Sequence, residues 1–148
     1  MTVRNDITDY IDTFIATMTV VGGYNFNYDN VNEHDPSART YPSVMTAYTD
    51  SVGETTQMSN KYTSVLTAVF KVTVDNSADV DLLLSKVEDD FRKMFNDEYD
   101  NMRLLGLLPG LKNSGATKTY NLNKLRPGTI SIPWDLPYRV SMDDPSST

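Results

Sequence analysis

In the stretch TISIPWDLPYRVSM, residues 129–142, every second residue is apolar, from Ile130 through Ile132, Trp134, Leu136, Tyr138 and Val140 to Met142. A period of two places these side chains on one face of a β-strand. Pro133 and Pro137 fall on the opposite face, and neither can donate a hydrogen bond to a ladder. The pattern predicts an edge strand, or one bent round a corner of its sheet, with the core face intact. A second alternation, KYTSVLTAVFKVTVD at residues 61–75, puts Tyr62, Leu66, Ala68, Phe70, Val72 and Val74 on one face and Thr63, Thr67, Lys71 and Thr73 on the other. YPSVMTAYTD, residues 41–50, reads as its antiparallel partner, and the polar SVGETTQMSN, residues 51–60, as the projecting tip of an extended hairpin.

Two segments switch to helical spacing. Ile7, Tyr10, Ile11, Phe14, Ile15 and Met18 recur three and four apart and predict a helix near residues 6–19, with Asn5 as N-cap and Gly22-Gly23 as stop. In DVDLLLSKVEDDFRKMFND, Val80, Leu83, Leu84, Val87, Phe91, Met94 and Phe95 form a broad apolar stripe, with Ser77 as N-cap. A separate short helical turn is predicted at residues 99–108, before Pro109-Gly110, and a strand at residues 117–125. Residues 23–40 lack periodicity and predict a long projecting loop with a short strand at residues 24–28. Helix, hairpin, helix and closing strands without βαβ alternation make an α+β fold, a mainly antiparallel sheet covered on one face by two helices. Residues 1–142 fit one domain, and 143–148 a flexible tail.

Composition narrows the function. Cysteine is absent, which removes disulfides, thiol nucleophiles and thiolate metal sites. A net charge of −7 argues against a phosphate-gripping surface. Arg103, Lys112, Lys118, Lys124 and Arg126 gather late in the chain, but without stacking aromatics they read as a solvated surface. The opening MTVRNDITDY lacks the apolar region of a signal peptide, and no run approaches the ~20 apolar residues of a membrane helix, so a soluble, unsecreted product is expected.

The candidate chemistry is thin. NFNYDNVNEHD, residues 25–35, offers oxygen ligands at alternating positions. A calcium loop opening at Asn25 would need glycine where Asn30 stands and glutamate where Pro36 stands. Turn chemistry explains these Asn and Asp residues better. His34 is the only histidine, and no nucleophile elbow, zinc motif or phosphate loop accompanies it. Glu88, Asp89 and Asp90 are expected on a solvated helix face rather than as an acid–base pair. No catalytic, cofactor or metal residue is assigned, and no enzyme activity is expected. Tyr24, Tyr28, Tyr41 and Tyr99 sit in loops or at element ends, where they serve either interfaces or local core lids.

The N-terminal amphipathic helix, YPSVMTAY after an irregular loop, TSVLTAVFKVTV leading into DVDLLLSKVEDDFRKMF, and the closing TISIPWDLPYRVSM together resemble the tail terminator (tail completion) proteins of long-tailed bacteriophages. The resemblance spans most of the chain and rests on element order rather than a residue fingerprint. It implies an α+β subunit of a hexameric ring that caps the tail tube, ends its elongation and docks to the head or neck. The implied partners are copies of itself, the tail tube protein, neck or head–tail connector proteins and, in contractile tails, the sheath. DNA would pass without specific binding. The implied location is the virion, with assembly in the host cytoplasm. The alternatives are another head–tail joining protein or a small cellular ligand- or calcium-binding module.

Overall fold

The computed structural model describes residues 3–33, 42–56, 61–74, 79–119 and 128–141. Two helices and six strands appear in the order α1 (Val3–Ile15), β1 (Asn30–Val31), β2 (Ser43–Thr56), β3 (Lys61–Val74), α2 (Val80–Leu104), β4 (Lys112–Asn113), β5 (Thr117–Thr119) and β6 (Gly128–Ser141). They form the expected α+β architecture, one sheet in the order β1-β2-β3-β6-β4 with β5 also on β6. All pairings are antiparallel except β1 with β2. The predicted strand at 24–28 does not form; the short strand lies just beyond it, at Asn30–Val31.

The alternation in the sequence sets the core. Leu66, Ala68, Phe70, Val72 and Val74 of β3 are buried beside Ile130, Ile132, Trp134, Leu136 and Tyr138 of β6. Ile7, Ile11 and Ile15 of α1 and Leu84, Val87, Phe91, Met94 and Phe95 of α2 close over them. A row of rings crosses this core: Tyr28–Phe91 at 5.9 Å between centroids, Phe91–Phe70 at 4.8 Å, Phe70–Phe95 at 5.8 Å and Phe95–Trp134 at 4.5 Å. Such tilted and edge contacts suit the ring quadrupoles.

β6 is not an edge strand. It pairs with β3 from Gly128↔Val74 to Ser141↔Lys61, and β4 and β5 lie on its other side. The prolines are tolerated for a reason visible in the hydrogen bonds. The Pro133 carbonyl accepts from Ser114 N at 3.1 Å, and the Pro137 carbonyl from Leu108 N at 2.8 Å. The nitrogen and carbonyl of one strand residue face the same neighbour. Both proline nitrogens therefore face the short, interrupted strands, and the long ladder to β3 loses no donor.

Element boundaries moved for local reasons. α1 stops at Ile15, short of the predicted 19, because Thr17 turns both its N–H and its Oγ1 back to the Phe14 carbonyl. The β-branched run Thr17, Thr19, Val20, Val21 also opposes a helix. α2 runs unbroken to Leu104, absorbing most of the separate turn predicted at 99–108. It ends in a Schellman motif: Leu107 N–H donates to the Met102 carbonyl at 3.2 Å and Gly106 N–H to the Arg103 carbonyl at 3.1 Å, with Met102 and Leu107 both buried. Gly106 sits at φ +120, which only glycine adopts easily. Asp79 occupies the N-cap position of α2 without a side-chain cap bond; the predicted cap Ser77 lies outside the described residues. The hairpin is longer than expected, pairing to Thr56↔Lys61 with a bulge between Val52 and Thr55. Residues 34–41, with His34 and Tyr41, the hairpin tip at 57–60, residues 120–127 and residues 142–148 lie outside the described residues.

Candidate interaction surface

The described half of the long loop packs onto α2 instead of projecting. Tyr28 is fully buried and Tyr24 nearly so, which makes both core lids. Their anchor is Asp90, 2% exposed, and this corrects the solvated face expected for Glu88, Asp89 and Asp90. Glu88 and Asp89 do pair with Arg92 at the surface, at 3.0 and 3.6 Å. Asp90 instead faces the loop. It accepts from Asn25 N–H at 2.9 Å, Asn25 Nδ2 at 3.0 Å and the Tyr28 hydroxyl at 2.6 Å. Burial pushes the Asp90 carboxyl up from its ordinary range, and the donors from Tyr28 and Asn25 pull it back part of the way. The spacing held a signal for this: Val87, Asp90 and Met94 stand at i, i+3 and i+7, on the margin of the apolar stripe.

Two asparagines of this segment serve backbone that is distant in sequence rather than the local turns expected of them; only the positive φ of Asn32 matches that expectation. Asn27 Oδ1 accepts from Val20 N–H at 2.7 Å. Asn32, at φ 58, accepts from Thr46 N–H at 2.8 Å and donates to Thr46 Oγ1 at 3.0 Å, extending the β1–β2 pairing through a side chain. On α1, Asp12 accepts from Tyr48 Oη at 2.7 Å and Thr46 Oγ1 at 2.9 Å, and Arg4 pairs with Asp50. Among the described residues, no group of three or more His, Asp or Glu side chains is placed to hold a metal ion. Of the late-chain cations, Lys124 and Arg126 lie outside the described residues, and Lys118 and Arg103 each face a carboxylate near opposite ends of α2. Lys118 bonds Asp81 at 3.1 Å and Ser85 at 2.6 Å, and Arg103 lies 3.9 Å from Asp100.

Tyr28 in the lid and Tyr48 on β2 give the fold a pH dependence. Burial, with a carboxylate acceptor second, raises both phenols far above the ordinary value of about 10. The folded chain thus holds protons that the unfolded chain releases. The stabilisation is complete below about pH 10 and is lost as pH rises beyond it. In an alkaline absorbance titration both phenols should stay silent until the chain unfolds, and Tyr28→Phe plus Tyr48→Phe should leave the folded-state amplitude unchanged.

Among the described residues, a sheet face and a groove beside it are open. The sheet face away from the helices carries Val65, Val69, Pro133 and Pro137, all partly exposed, and no helix covers it among the described residues. The second is a groove of about 310 Å³ between α2 and β6, walled by Phe95, Tyr99, Leu111 and Trp134 and rimmed by Arg92 and Asn96. Trp134 Nε1 is buried with no acceptor among the described residues. The groove is thus largely apolar, while the sheet face is mixed, with Thr67, Lys71, Thr73, Ser131 and Asp135 beside the valines and prolines. No protein-family model matches the chain, and no curated protein matches it. No helix among the described residues is long and apolar enough to cross a membrane.

Proposed function

We propose that the chain is a structural ring subunit of a phage tail or neck, which caps the tail tube, ends its elongation and presents a docking surface to the head or neck. The observation that carries this reading is the face of the sheet that no described helix covers. Three fourteen-residue strands lie side by side, both helices occupy one face, and Val65, Val69, Pro133 and Pro137 lie on the other. A rigid plate with one partly apolar face left free of helices among the described residues suits a part whose work is to be packed against neighbours. The element order that resembles tail terminators supports the same reading, and the net charge of −7 suits a lumen through which DNA slides. Mass photometry and negative-stain imaging of the purified chain, alone and with tail-tube ends, test it. Closed rings, free or seated on the tube ends, are expected; a chain that stays monomeric and never binds tubes would sink the proposal.

A further inference from the structure

A pair of valines stands in water on one flank of α2, and the apolar groove lies open on the other. Val20 is 56% exposed and Val21 99%. Their turn is fixed: Val20 N–H bonds Asn27 Oδ1 at 2.7 Å, Gly22 N–H bonds Thr19 Oγ1 at 3.1 Å, and Gly23 N–H bonds the Val20 carbonyl at 3.1 Å. Next to it, the Tyr24 ring lies under Lys93 Nζ at 4.7 Å, and Asn25 is tied to Asp90. A single exposed apolar residue is ordinary. Two adjacent ones on an anchored turn form a knob that loses little freedom on docking.

The groove offers what such a knob requires. Phe95, Tyr99, Leu111 and Trp134 supply an apolar floor, and Arg92 and Asn96 a polar rim. Aromatic pockets of this kind concentrate binding energy. At about 100° per residue, Asp90 and Tyr99 point in directions roughly 180° apart around α2. Knob and groove therefore lie on different flanks of α2, and a contact between them joins unlike patches. A contact between unlike patches repeats head to tail, closing into a ring or running on as a filament.

We infer that the Val20–Val21 turn of one copy seats in the Tyr99–Leu111–Trp134 groove of the next. The inference rests on the ring proposal for its occupant, a second copy of the chain. The absence of cysteine makes the test clean. Mixed under mild oxidation, the full-length Val21→Cys and Leu111→Cys variants should give disulfide-linked dimers, and a chain carrying both should give a ladder of higher multimers. Val21→Asp should keep the melting temperature and lower association at least tenfold in sedimentation. The concentration-dependent change in emission of Trp134, the only tryptophan, should vanish with it. Association of the unaltered chain without the cross-link, or full association by Val21→Asp, overturns the contact while leaving the ring proposal standing. Cross-linked multimers that image as open filaments uphold the contact and defeat the ring. A chain that neither associates nor cross-links at any concentration overturns the contact outright.

Discussion

Asp90→Ala is expected to lower the folding free energy by about 3–5 kcal/mol, read as a shift in urea midpoint at unchanged slope. The carboxylate is the common acceptor for Asn25 N–H, Asn25 Nδ2 and the Tyr28 hydroxyl, and it is buried beneath them. Alanine leaves the Tyr28 hydroxyl in the core without its acceptor, and Tyr28 is held edge-on against Phe91. The loss therefore reaches the row of rings as well as the loop. Asp90→Asn should cost about 1–2 kcal/mol, because the amide keeps one acceptor and the Tyr28 hydroxyl can turn to receive its N–H. Equal losses for the two variants would show that the hydrogen bonds at this point contribute little.

Trp134→Ala should cost about 3–5 kcal/mol, the range for emptying a large aromatic from a core. Its ring lies 4.5 Å from that of Phe95 and is 8% exposed, so the indole packs inward. The same ring forms part of the groove floor, so the substitution should also impair association. A loss of assembly in Trp134→Ala is thus ambiguous, which is why the exposed Val21 and the partly buried Leu111 are the better probes. Trp134→Phe should cost less, because it keeps an aromatic body and removes an N–H that has no acceptor among the described residues. A thermal melt of Trp134→Ala within a degree of the unaltered chain would place the indole outside the folding core.

The core was legible because period and burial are the same physical fact. Phe70, Val72, Ile130 and Ile132 alternate in the sequence and share the buried face of the sheet. The continuous α2 was less legible. Its last turn carries Met102, whose partner is Leu107 across Gly106, and that cap ends the helix inside the Leu-Leu-Gly-Leu-Leu run, where the sequence predicts a separate helical turn continuing to residue 108. The prolines of β6 misled for a related reason. Sequence shows which face a residue occupies but not which neighbouring strand its nitrogen addresses. Asp90 was hidden by its company. It follows Glu88 and Asp89, which are solvated, while its partners Asn25 and Tyr28 lie more than sixty positions earlier. The groove could not be read at all, since Leu111 and Trp134 meet only through the pairing of β4 with β6.

The placing of β6 between β3 and the short strands has a consequence in time. Val74 and Gly128 are neighbours in the sheet although more than fifty positions separate them along the chain. Closing so long a loop is slow, and contacts between distant residues set the pace of folding. During synthesis the β2–β3 hairpin and α2 emerge first, with one edge of β3 and the Phe70–Phe91–Phe95 rings still uncovered. Until β6 arrives there is no Trp134, no groove floor and no finished plate. In the ring proposed above, a chain built this way could not offer its groove to a neighbour before its own sheet is closed, so the order of synthesis would keep half-made copies out of the assembly.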